Sequence, residues 1–415
     1  MIRRVIALIA FSGLISQGLL AAASGACAAE RPVPARSLDE PWATNGAGRA
    51  GLDREMKEVA RLRGLSFAHS VTVRSIDRQS LPQVLREQME SSIPSSLEEY
   101  ASVLRALQLV DARTSGLIDK MLDLYQSQVL AFYDPRTHTY VSIDPLPPAV
   151  SGLANLQVVR ESVAIHELTH ALQDQRFHAA EREQKLLKDT DAQLAYHALL
   201  EGEASLVMLA WVLEQSGQTL DDVLKSDETF HWLQAAAAGG DALIDPATPR
   251  YFTESMKFPY FEGIKLVAII YRRGGWKAVD RMHQNPPRST REVLHPSEYV
   301  SRIEGADRPE PAFEAKRRRA EPVALTVEHL GEFHWRFLVG ATASAGWLWD
   351  RVLVTPRGTV LADTRWESPE QATAFRDAYD AFLRGRSIEV RSSLDGTRVR
   401  VGYGPDTPAI ERFFP

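Results

Sequence analysis

The run Leu156–Phe177 is the most constraining stretch of this chain. It is apolar and has the spacing of a helix, yet it carries His166-Glu167-Leu168-Thr169-His170 near its middle. Two histidines four residues apart leave a helix from one face, about one turn apart. Two neutral imidazoles so placed bind one Zn2+, and the adjacent Glu167 is positioned to act on a metal-activated water rather than on the metal. The pattern points to metal-assisted hydrolysis, with peptide bonds as the leading substrate.

A catalytic zinc has three protein ligands and an open position. A further His, Asp or Glu must therefore come from an element that packs beside this helix. The segment Ala198-Leu199-Leu200-Glu201-Gly202-Glu203-Ala204-Ser205 is the best source. Glu201 and Glu203 sit among Leu199, Leu200, Leu206, Val207, Met208 and Leu209. A carboxylate in such company is costly to bury unless a cation compensates. Gly202 lacks a side chain and allows another helix to come close. Glu201 is taken as the third ligand, with Glu203 as the alternative.

His166-Glu167-Leu168-Thr169-His170-Ala171, with Asp174 four residues further on, resembles the active-site helix of thermolysin-like zinc metallopeptidases, the gluzincins. Glu201 to Ser205 is similar to the segment that supplies their third ligand. The resemblance implies a two-His, one-Glu zinc site with Glu167 as general base. It also implies a substrate-binding edge strand near Ala131–Tyr133. Two departures stand out. Thirty residues separate His170 from Glu201, and Ser205 replaces an expected aspartate. Asp174 is the substitute candidate for orienting a histidine. A broader likeness, to secreted bacterial proteins with HExxHxxQDQ, EGxA and HPxxY segments, is carried by His166–Gln175, Glu201–Ala204, Phe258-Pro259-Tyr260, Gly274-Gly275-Trp276 and His295–Tyr299.

An oxyanion formed during attack on a peptide carbonyl needs a second donor besides the metal. His295, fixed by Pro296, is the chosen candidate, with Tyr260 and Tyr299 behind it. His138, His178, His197 and His283 read as turn or surface residues.

The N-terminus reads as a secretory signal over residues 1–29: Arg3-Arg4, an apolar run from Val5, then small residues ending in Ala26-Cys27-Ala28. Export to the periplasm or medium is expected, with no membrane span after signal removal. Cys27 is the sole cysteine, so no mature disulfide or thiolate ligand is expected; a lipid anchor on Cys27 is the alternative. Loss of Arg3 and Arg4 takes the formal charge from −6 to −8. The one basic run, Lys316–Arg319, lies in a polar stretch, which argues against a nucleic-acid partner.

Residues 30–51, rich in Pro, Ala, Gly and Ser, read as a flexible lead-in. The expected fold class is α+β: a mostly helical, zincin-like catalytic domain over 52–320 with a small edge-strand sheet, then a small α+β module over 321–415. Helices are expected at Leu81–Ser91, Ser96–Leu109 (capped by Ser96 and Glu99), Leu117–Tyr125, Leu156–Phe177, Ala192–Gln215, Thr253–Arg272 (kinked at Pro259, stopped by Gly274-Gly275) and Ser289–Leu294. A strand over Ser70–Ile76 and a hairpin across Asp134–Thr137 precede the HELTH helix. In the module, helix is expected over Val327–Gly340 and Pro369–Leu383, with strands at Asp350–Thr355 and Thr359–Arg365 and a last hairpin across Asp395-Gly396. The resulting expectation is an exported zinc peptidase acting on a peptide or protein substrate. A zinc-binding envelope or binding protein without catalysis is the alternative.

Overall fold

The computed structural model describes residues 46–91, 93, 95–147, 156–225, 245–305 and 326–414. The signal region, Cys27 and the Lys316–Arg319 run lie outside them. Helix α1 (Gly46–Arg63) corrects the expected lead-in, since residues 46–51 are already helical. Leu52, Glu55, Val59 and Arg63 form its buried stripe at helical spacing, which the Gly- and Ala-rich start had masked. Strand β1 (Thr72–Asp77) follows, then α2 (Leu81–Ser91), α3 (Leu97–Ala106) and α4 (Leu117–Gln128). The capping box on α3 is present: Glu99 N donates to Ser96 Oγ, and Ser96 N donates to Glu99 Oε2.

Strands β2 (Ala131–Asp134) and β3 (Thr139–Asp144) form the expected antiparallel hairpin, with Tyr133 opposite Tyr140. Strand β1 adds to it in parallel, Val73 opposite Tyr140, giving the order β1-β3-β2. The hairpin was readable from local turn chemistry; the parallel partner, some sixty residues upstream, was not. Strand β2 is left at the sheet edge, beside α5 (Leu156–Phe177).

After α5 come the short α6 (Ala179–Lys185) and the 26-residue α7 (Thr190–Gln215). From Thr190 to Leu213 every residue of α7 but Ala192 is buried, so its few polar side chains must find partners on neighbouring elements. Helix α8 (Arg250–Gln284) crosses it. A Cβ on Gly202 would stand 2.3 Å from the Gly263 carbonyl carbon, and one on Gly263 would stand 2.1 Å from the Ala198 oxygen. Both obstacles are backbone, so neither helix yields cheaply. Gly202→Ala should therefore lower stability by about 1–3 kcal/mol through overpacking. A urea-unfolding midpoint unchanged from wild type would contradict that close crossing.

In α8 the non-helical dihedrals fall at Gly274 and Gly275 rather than at Pro259. Gly275 has φ +59, which suits only glycine comfortably. The helical path stops at these two glycines, as expected, and a second helical segment that the sequence reading did not include carries Trp276, Asp280 and His283 on to Gln284. Helix α9 (Thr290–Leu294) starts after Ser289, whose side chain makes no capping bond; Glu292 instead accepts from Arg288 N. Helix α10 (Pro296–Ile303) completes this lobe.

The C-terminal region begins with β4 (Thr326–Glu328), where helix had been expected; α11 (Gly331–Val339) starts later. The cause is Asp350, which accepts from Leu330 N and Gly331 N and also from the indoles of Trp335 and Trp347. Strands β5 (Trp347–Val354) and β6 (Val360–Trp366), helix α12 (Pro369–Arg384), strands β7 (Val390–Asp395) and β8 (Arg398–Tyr403) and helix α13 (Thr407–Phe413) follow. The sheet order is β4-β5-β6-β8-β7. The buried face of α12 is Ala372, Phe375, Tyr379, Asp380 and Leu383, with Phe382 partly buried against the core. Arg291 of α9 ties this region to the helical lobe, donating to Trp347 O and bridging Glu298 and Glu367. The class is α+β. Among the described residues no helix is long and apolar enough to cross a membrane.

Candidate metal centre

Helices α5 and α7 pack side by side, and their contact carries three side chains aimed at one point. His166 Nε2 lies 3.1 Å from His170 Nε2 and 3.1 Å from Glu201 Oε2; His170 Nε2 lies 3.4 Å from the same oxygen. A tetrahedral zinc with bonds of about 2.0–2.1 Å needs ligand atoms about 3.3–3.4 Å apart. The triangle fits that edge length to within a few tenths of an ångström. The donor set, two imidazole nitrogens and one carboxylate oxygen, suits zinc. His166 and Glu201 are buried, and His170 is partly open.

A second tier of contacts holds the triangle. Gln173, one turn after His170, places Oε1 2.9 Å from His170 Nδ1. Its amide nitrogen donates to Leu200 O and to Glu203 Oε2, both at 2.9 Å. Gln173 therefore takes the orienting role expected of Asp174. The Asp174 carboxylate instead accepts from Tyr133 OH and from Ala180 N, tying the hairpin to the start of α6. The signal for Gln173 was present, since residues three apart share a helix face. Ser205 is buried.

Glu167 is 3% exposed. Its Oε2 accepts from Tyr133 N at 2.9 Å, and its Oε1 has no hydrogen-bond partner among the described residues. A cleft opens here, bounded by Phe132–Tyr133 of the hairpin, by Glu167 and His170, and by α6 and α7. The expected edge strand borders it, but the outward-facing amide of Tyr133 is already engaged by Glu167.

Burial depresses the His166 imidazole to about 4 despite its bond to Glu201. Burial works the same way on His170, but the charge and hydrogen bond of Glu201 outweigh it and lift that imidazole to about 10. Burial pushes Glu167 up to about 8. Burial would also raise Glu201, yet His170 and His166 hold it well below the usual carboxylate range. The negative Glu201 carboxylate therefore favours positive charge where the three side chains meet, and a dication bound there would displace any proton they hold.

Glu203, the alternative ligand, faces away from the triangle. It receives Arg63 Nε at 2.6 Å and lies 2.6 Å from His283 Nε2. His283, expected at the surface, is buried and stacked on Phe177 at 3.9 Å between ring centroids. His197, also expected at the surface, is buried between Glu183 and Glu201. His138 and His178 are turn residues with positive φ. His295 Nε2 lies 2.8 Å from Glu332 Oε1 of α11, and Tyr299 donates to Asn285 O. The Tyr260 ring packs 6.1 Å from that of His166. None of these three lines the cleft. The residues overlooked in the sequence are thus Arg63, Gln173 and Glu183, whose partners lie on other elements or beyond the HELTH pattern.

Residues 315–412 match the model of a domain of unknown function, DUF8575. That match takes in the C-terminal five-stranded sheet and leaves the metal-ligand triangle outside it. No curated protein and no solved structure matches the chain.

Proposed function

We propose that this protein is an exported zinc-dependent peptidase of gluzincin-like type. The observation that carries this reading is the triangle of His166, His170 and Glu201 set beside a buried Glu167 oxygen that no group among the described residues bonds. His166, His170 and Glu201 would hold zinc, which when bound supplies a Lewis acid and lowers the pKa of water. Glu167 takes the proton of the attacking water at Oε1 and delivers it to the leaving amine. The Tyr133 amide holds Oε2 and keeps the carboxylate aimed during both transfers. Gln173 fixes the His170 ring through Nδ1, leaving Nε2 as the donor to metal. The partly open His170 edge marks the side from which substrate approaches. The leader pattern in residues 1–29 supports action outside the cytoplasm.

A zinc-binding envelope protein without catalysis is the second reading. It is favoured by the Tyr133 amide, which Glu167 occupies and which an extended substrate therefore cannot use. Zinc analysis and a peptide-library digest separate the two. The purified protein is expected to hold one zinc and to cleave the library, with cleavage abolished by chelation and restored by zinc. A zinc-replete protein that leaves casein and the library intact would end the peptidase reading and leave the second.

A further inference from the structure

His197 and Glu183 are not part of the HELTH pattern, yet they stand against the third ligand. His197 lies one turn before Glu201 on α7, and its residue is 5% exposed. Its Nδ1 is 3.1 Å from Glu183 Oε1, and its Nε2 is 3.3 Å from Glu201 Oε1. The other Glu201 oxygen, Oε2, is the one that meets His166 and His170. The two oxygens of one carboxylate are thus divided between an imidazole and the metal triangle.

Resting on the zinc-site reading above, we infer that His197 is a positioning residue that turns Glu201 so that Oε2 alone is offered to the metal, with Glu183 anchoring the His197 ring. Helix α7 cannot do this unaided, because a glutamate side chain has three rotatable bonds and a lone carboxylate swings freely about the last. The imidazole blocks that swing from one side. Glu183 arrives from α6, which begins where Asp174 accepts from Ala180 N at 3.2 Å. Asp174 is also bound by Tyr133 OH from the hairpin. One connected set of contacts therefore joins the hairpin, α6 and the third ligand. Groups of this kind behind a metal ligand are worth about 10–100-fold in metal affinity.

Competition with a chromogenic chelator, using zinc alone as probe on the full chain, tests this. His197→Leu, which keeps bulk but removes the ring nitrogens, is expected to weaken zinc binding about 10–100-fold. His197→Gln, which keeps an N–H donor at similar reach, is expected to recover most of that loss. Unfolding curves recorded with chelator present are expected to coincide for the two variants. Zinc affinity of His197→Leu within twofold of wild type would overturn the inference, as would equal weakening by both variants, which would make His197 a space-filler. If His197→Leu does not fold, Glu183→Leu serves instead: it leaves the imidazole in place without its anchor, is expected to weaken zinc binding in the same direction, and unchanged affinity there would overturn the inference. Failure of wild-type protein to bind zinc at all, by contrast, would remove the underlying zinc-site reading.

Discussion

Glu167→Gln is expected to lower peptide hydrolysis by about 10²–10⁴-fold, the usual worth of a positioned proton carrier, while zinc content stays at the wild-type level. The geometry separates these two effects. Glu167 contributes no atom to the metal triangle, which is built from His166, His170 and Glu201. An amide at position 167 still accepts from Tyr133 N, so the local packing and the hairpin contact survive. What is lost is the ability to accept a proton at the oxygen that no group among the described residues bonds. His166→Ala, measured alongside, is expected to lose both zinc and activity. Equal, nonzero activity in wild type and Glu167→Gln would sink the general-base role, whatever the zinc content.

Arg63→Met is expected to cost about 3–5 kcal/mol of stability at neutral pH, because it leaves a buried carboxylate short of its main counter-charge. The Arg63 side chain is fully buried. It donates to Glu203 at 2.6 Å and to Asp280 at 2.7 Å, with its guanidinium 4.5 Å above the Trp276 ring. Burial would raise the Glu203 carboxyl, but Arg63 and His283 outweigh it and bring it from 4.5 to about 2. A carboxyl with a depressed folded-state value adds stability that is complete above about pH 4.5 and is lost as pH falls toward 2. Once Arg63 is gone that depression shrinks. The stability gap between wild type and variant is therefore expected to narrow between pH 4.5 and pH 2. Urea unfolding at neutral and at acid pH checks both the size and the trend. A gap that widens in acid would contradict the assignment of Glu203 as the charged partner.

Several features of the fold are legible in the sequence alone. The HELTH helix runs over Leu156–Phe177, the limits its apolar spacing implied. The hairpin before it follows from Asp134–Thr137, and the bare Gly202 does admit a crossing helix. These follow from short-range periodicity, turn chemistry and the absence of one side chain. The opposite misreadings share a cause. His283 read as a surface residue because its partner Glu203 lies eighty positions away in the chain. The proline-fixed setting of His295 was visible in the same way, whereas its Glu332 partner on α11 was not.

Glu201 and Glu203 mark the boundary between the two kinds of knowledge. Residues two apart on a helix project about 200° apart, so the pattern already required that they face different neighbours. Which neighbour each meets depends on how α1, α5 and α8 surround α7. Glu201 meets two imidazoles of α5, and Glu203 meets Arg63 of α1 and His283 of α8. A chain's local spacing sets the direction in which a side chain leaves its own helix. Only packing among elements distant in sequence sets what it finds there, because the desolvation of each carboxylate is offset by charges that other helices bring.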